Sequence, residues 1–375
     1  MTRRSILTFS LGPISGALIS LIYLPTIAWF FPPEVVGQNN IYQTFLAFSL
    51  LIAVLGLDQA YVREYHEVKS SRLLLKTCFL PGLVLSLVAF FLSLPFASWL
   101  SWALYGEIEP RLYLLSAIAA VMMFVVRFMS LILRMQERGL SYSVSQIAPK
   151  LFLLTAVICY AVLGVTPTLY NLLAANVLAL LFIVLLLLWQ TWSEWRGVFK
   201  PTVDTVNVKR IFEFGLPLAV AGIAYWGLSA TSVVALRFFS DFREIAIYSM
   251  AMSFAGVATV MQSIFSTVWM PTVYKWAKRS DSFERIDGVR RVITAAVCLL
   301  FCLVGALSWI VDFFLPQEYE WVKYIIVCCM AQPLLYTMSE TTVVGLNIQR
   351  RSGVILVVSL VSFGCNALLS LVLVP

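Results

Sequence analysis

The chain has 375 residues, of which 61% are hydrophobic and 12% charged, with a mean hydropathy of +0.91; a soluble domain carries about 25% charged residues. Apolar runs recur along the whole length, which excludes a water-soluble globular fold and identifies an all-α, polytopic transmembrane helical bundle. The net charge of +7 then reports membrane topology rather than nucleic-acid binding. With one histidine (His66) and seven cysteines, all within apolar runs and read as small core hydrophobes, no metal site and no cofactor are expected.

Eleven apolar segments of spanning length follow one another: 7–31, 39–57, 77–102, 112–133, 141–163, 168–190, 211–237, 245–270, 292–314, 322–346 and 352–374. The start, MTRRSILTFSLGPISGALIS, has the superficial look of a signal peptide. Its apolar run continues to Phe31 and contains Pro13 and Pro25, so it reads as an uncleaved first span. Of the 26 Lys and Arg residues, 20 fall in one set of loops and four (Arg111, Arg237, Arg243, Lys323) in the other, leaving Arg127 and Lys150 within spans. No loop is out of phase, which places the N-terminus in the cytoplasm. Trp99, Trp102, Trp189, Trp192 and Trp195 sit near span ends and read as interface anchors.

An internal repeat is visible. TFSLGPISG (8–16) resembles EFGLPLAVAG (213–222), QNNIYQTFLAF (38–48) resembles EIAIYSMAMSF (244–254), and LRMQERG (133–139) resembles LNIQRRSG (346–353). These pairs describe two six-helix lobes, residues 1–206 and 207–375, the second lacking its last helix. The final LLSLVLVP stands where a turn and a twelfth span are expected, so a truncated chain is expected. Internal two-fold repeats around a central site are a transporter signature.

Charges within the spans carry the functional signal, because an intramembrane ionisable residue faces a bundle interior or a wet cavity. Arg127 lies about 10 Å from the cytoplasmic end of span four and shares a face with Arg134. Lys150 lies about 14 Å into span five, on one face with Tyr142 and Gln146. Glu340 lies about 15 Å from the end of span ten, on one face with Gln332, Tyr336 and Asn347. The repeat offset maps Arg127 onto Glu340. Two readings stay open. One is a hydrated cationic cavity formed by Arg127, Lys150, Gln146 and, on the outer side, Arg237, suited to phosphate, with Glu340 as a coupling residue. The other is a structural Arg127–Glu340 pair, with Lys150 needing its own partner or snorkelling to the surface. Arg237 has a plainer alternative as an interfacial anchor near Asp241. Asp58 and Arg63, at the start of a cytoplasmic loop, either cap and pair locally or join Arg134 in a cytoplasmic gate. GxGxxG and GxxxxGK[ST] are absent, so no ATP-hydrolysing site is expected.

Four stretches carry a resemblance to the Wzx-type polysaccharide flippases, which export lipid-linked oligosaccharides and belong with the MATE drug exporters and lipid II flippases in one superfamily. They are GLDQAYVREYHE (56–67), LRMQERGLSYSVSQIAPKLFLL (133–154), KRIFEFGLPL (209–218) and ALRFFSDFREIAIYSMAMSFA (235–255). Where the family often shows Asp-Arg, this chain has Leu236-Arg237. The resemblance implies a non-enzymatic flippase of the bacterial inner membrane. Its partner would be an undecaprenyl-pyrophosphate-linked O-antigen, capsule or exopolysaccharide unit, with the bilayer, a polymerase and a chain-length regulator as further partners. The rival classes are a MATE-like exporter of small organic solutes, whose cavity should be acidic, and a membrane-embedded polysaccharide polymerase, which should carry a long external loop.

Overall fold

A computed structural model describes residues 3–65, 67–68, 70–198, 208–276, 282–348 and 352–373. His66 lies outside the described residues, as do Lys69, Lys200, Lys278, Arg279, Arg350 and Arg351 of the loop cations and the side chains of Arg3, Arg4, Lys275 and Asn347. The described chain is helical: α1 (Arg3–Phe30), α2 (Pro33–Val54), α3 (Leu57–Glu64), α4 (Ser71–Ser93), α5 (Ala97–Tyr105), α6 (Pro110–Met135), α7 (Gly139–Leu163), α8 (Leu169–Val198), α9 (Val208–Phe239), α10 (Phe242–Trp276), α11 (Ser282–Leu307), α12 (Val322–Ile348) and α13 (Ser352–Leu373). Each of the eleven apolar segments overlaps one or more of these helices.

Seven described helical stretches are long and apolar enough to cross a membrane, and α2 with α3 forms an eighth as a pair bent by 54°. Shorter apolar stretches mark α1 (Leu18–Phe30), α9 (Ala230–Phe239) and α13 (Val361–Ser370). Segment boundaries follow local chemistry. Pro33 and Pro110 open α2 and α6, where the first turn needs no N–H from proline. Gly106 and Gly164 end α5 and α7 in the left-handed conformation. Leu94-Pro95-Phe96 forms a 3-10 turn that joins α4 to α5 as one long span.

The chain forms two compact units, residues 1–238 and 239–375. In the first, α1 packs on α7, and α6 packs on α8. A core of Leu57, Tyr61, Leu74, Cys78, Phe124 and Phe128 holds α3 against α4 and α6, and Ile211 brings in the start of α9. Phe79 stacks on Phe124 at 5.3 Å and meets Trp195 at 4.8 Å. Trp195 is therefore a packing residue, bonded through its indole N–H to Thr191, while Trp99, Trp102, Trp189 and Trp192 are exposed as expected of interface residues. The cysteines need a similar correction: Cys78 and Cys329 are buried, but the other five lie on exposed helix surface. In the second unit α12 packs on α10 and α11.

Candidate functional site

The 54° bend between α2 and α3 is made by two successive residues with positive φ, Leu55 (51°) and Gly56 (68°). It turns α3 back across the bundle and presents Asp58 to α6. The Asp58 carboxylate is 8% exposed. Its Oδ1 accepts the backbone N–H of Gln59 at 2.9 Å. Its Oδ2 accepts both Nη2 and Nε of Arg127, at 2.6 and 3.1 Å. Arg127 thus has a partner in its own unit, and the partner is a residue the sequence reading had set aside for a gate. Of the readings left open for Arg127, the structure adds one that neither named, a pair with Asp58. Nη1 of Arg127 has no partner among the described residues, and the side chain is 35% exposed.

Lys150 projects from α7 to α1. Its Nζ donates to the carbonyl of Gly16 and to Oγ of Ser20, both at 2.8 Å. This replaces the snorkelling alternative: the ammonium has neutral partners one helix away. Ser20 Oγ also donates to the Gly16 carbonyl at 2.9 Å, so the carbonyl keeps a donor if the lysine is removed. Lys150→Met is therefore expected to cost about 2 kcal/mol, and Ser20→Ala about 1 kcal/mol or less. Thermal unfolding followed by tryptophan fluorescence in detergent checks the order; equal costs would mean the ammonium adds nothing to the α1–α7 contact. Gln146, one turn before Lys150, is exposed.

Arg237, near the end of α9, donates Nε to the carbonyl of Leu104 at 2.9 Å and Nη2 to that of Trp102 at 2.8 Å. Both carbonyls lie in the last turn of α5, where a cation complements the helix dipole; that of Trp102 also accepts the Gly106 N–H at 2.8 Å. Asp241, the anchor partner considered from sequence, caps α10 by accepting the backbone N–H of Glu244 at 2.9 Å. Arg63 lies 4.3 Å above the Phe214 ring of α9, and Arg134 is exposed at the end of α6. The proposed local pairing of Asp58 with Arg63 is thus replaced by two different partners, and no bond among the described residues joins Arg134 to either.

Sequence reasoning missed Arg210, Glu64 and Glu67. Nη2 of Arg210 lies 2.7 Å from Oε2 of Glu67 and 3.2 Å from Oε1 of Glu64, whose side chain is 8% exposed. The signal was two acids three residues apart, one ending α3 and one in the turn after it, and a Lys-Arg pair opening α9 that was counted only as a topology marker. In the second unit, Ser266 Oγ lies 2.6 and 2.5 Å from the two oxygens of Glu340, and the Trp269 indole donates to the Glu340 carbonyl at 3.2 Å. Within the first unit an apolar cavity of about 220 Å³ is lined by Phe45, Phe48, Phe90 and Tyr113, with Ser49 and Ser86. None of the predicted site residues lines it. Among the described residues no cluster of three His, Cys, Asp or Glu could hold a metal ion.

A family model described as polysaccharide biosynthesis protein matches residues 2–276. The chain belongs to this polysaccharide biosynthesis family. No match is found among curated proteins. Among solved structures it is similar to a lipid II flippase MurJ in an inward closed conformation, at 13% identity and a TM-score of 0.63, over 97% of this chain and 79% of the other. It is also similar to an inward-facing multidrug resistance MATE transporter of the MOP superfamily, at 13% identity and a TM-score of 0.59, over 98% and 88%. A MOP superfamily transporter from Pyrococcus furiosus Vc1, described as having a binding pocket of reverse polarity, matches at 13% identity and a TM-score of 0.53, over 98% and 94%. The fold is therefore that of the helical MOP transporters, in a multi-pass membrane protein.

In this polysaccharide biosynthesis protein the first unit holds two cations within apolar helices, and both retain donors. An ammonium has three N–H bonds, of which Lys150 spends two. Arg127 commits Nε and Nη2 and leaves Nη1. Charged donors with spare N–H groups suit an anionic oxygen better than a cationic solute.

Proposed function

We propose that the protein is a flippase that carries an undecaprenyl-pyrophosphate-linked oligosaccharide, an O-antigen, capsule or exopolysaccharide repeat unit, from the cytoplasmic to the outer leaflet of a bacterial inner membrane. The observation that carries this reading is the presence of Arg127 and Lys150, with spare donors, in apolar helices of a polysaccharide biosynthesis family member. The N-terminus is cytoplasmic, following the 20-to-4 distribution of loop cations. Lobes 1–206 and 207–375 alternate access to a central cavity. Arg127 and Lys150 hold pyrophosphate or acidic sugar, Gln146 adds a polar contact on the Lys150 face, and Arg237 serves the outer side. Glu340 is the coupling residue; Asp58, Arg63 and Arg134 serve the cytoplasmic gate.

A MATE-like exporter of organic solutes is the second reading, favoured by the likeness to MATE structures. Lys150, whose partners are both neutral, would oppose the binding of an organic cation, which ranks this reading below the flippase. Expression in a bacterium lacking its own O-unit flippase tests both. Restored surface polysaccharide, lost again in Lys150→Ala at matched membrane levels, is the expected result. Drug resistance without restored polysaccharide would favour the exporter.

A further inference from the structure

We infer that α3 is a two-sided latch that couples the occupant of Arg127 to the docking of α9. One side of this eight-residue helix supplies Asp58 to Arg127 on α6. The rest of the helix, with the bend before it and the turn after it, holds α9 at three points. Glu64 and Glu67 bind Arg210, Arg63 covers Phe214, and Gly56 lies against the backbone of Gly215.

Asp58 is also an internal competitor. It offers Arg127 a carboxylate oxygen where an anionic ligand would offer a phosphate oxygen. Both guanidinium contacts go to Oδ2 alone, so the pair is not the two-oxygen fork that makes Arg–carboxylate pairs strongest. A ligand with two anionic oxygens can displace it. Displacement frees Asp58, and α3 is too short, at eight residues, to move at one end alone; the contacts to Arg210 and Phe214 loosen with it. Ligand arrival at α6 thereby releases the start of α9. A ligand shifts such an equilibrium only by its differential affinity for the two arrangements, and removal of the competitor supplies that difference here. The latch rests on the flippase reading only for the identity of the anion.

The test uses the full chain in lipid nanodiscs, hydrogen–deuterium exchange as the readout of the latch and inorganic pyrophosphate as the probe. Asp58→Asn is expected to speed exchange about tenfold over residues 208–216 as well as over 57–65. It is also expected to tighten pyrophosphate binding about tenfold. Arg210→Gln should do both from the α9 side, without touching the anion. Glu67→Gln, at a side chain 53% exposed, gives a milder form of the same response with little risk to folding. Faster exchange confined to 57–65 in Asp58→Asn, with 208–216 unchanged, would overturn the latch. Coupled exchange in all three variants without pyrophosphate binding would support the latch and reject the pyrophosphate-linked substrate instead.

Discussion

Arg127→Gln is expected to slow transport by at least about tenfold and to destabilise the protein more than Asp58→Asn, while the double variant regains stability and stays slow. The asymmetry follows from burial. Removing Arg127 leaves a carboxylate that is 8% exposed without its cation. Breaking a fully buried pair costs about 3–5 kcal/mol. Arg127 is itself 35% exposed, so water enters the vacated space and the lower end, about 3 kcal/mol, applies. Asp58→Asn instead leaves a guanidinium that water already reaches, at a cost of about 1–2 kcal/mol. The double variant has no unpaired charge and should lie closer to the parent than Arg127→Gln does. Transport behaves differently if Arg127 holds the anion. A hydrogen bond to a charged group is worth about 1.5–3 kcal/mol, so its loss slows transport by at least about tenfold whether or not Asp58 is neutral. Thermal unfolding and glycolipid flipping in proteoliposomes separate the two roles. A double variant that recovers both would make the pair purely structural.

The helices were legible from sequence because a bilayer leaves the backbone no alternative: every N–H and C=O must be satisfied inside the segment. The positions of Arg127, Lys150 and Glu340 along their helices followed from a rise of about 1.5 Å per residue. Their partners did not follow. Asp58 is 69 residues from Arg127, and it reaches α6 only because Leu55, a residue with no left-handed preference, adopts φ 51° beside Gly56. No local pattern announces a leucine in that conformation. The repeat offset instead aligned Arg127 with Glu340, but equivalent positions in two repeats share an environment, not a bond. Each found its partner within its own unit, Asp58 for one and Ser266 for the other. Lys150 and Arg237 bind main-chain carbonyls, which every residue carries, so side-chain chemistry in the sequence could not point to them.

The same bend yields the sharpest expectation for an uncharged residue. Gly56→Ala is expected to be much more damaging than Gly164→Ala, although both glycines have nearly the same φ, 68° and 66°. A Cβ at Gly164 meets nothing within 4 Å. That substitution therefore isolates the conformational cost of a left-handed L-residue, about 1–2 kcal/mol. A Cβ at Gly56 would lie 2.1 Å from the Gly215 carbonyl oxygen and 3.1 Å from the Ala219 nitrogen. Both obstacles are α9 backbone, which cannot turn aside as a side-chain tip can. Relief requires α9 to move, adding about 1–3 kcal/mol for overpacking. Gly215 is constrained reciprocally: a Cβ there would lie 3.1 Å from Leu57 Cδ2 and 3.2 Å from the Leu55 carbonyl oxygen. Gly56→Val should cost more again, because a β-branched residue fits a positive φ worse than alanine does. Thermal midpoints of the purified variants, with Gly164→Ala as the reference, check this. Equal losses at the two glycines would mean that the α2–α3 bend does not seat against α9, and the latch would then have no third point of attachment.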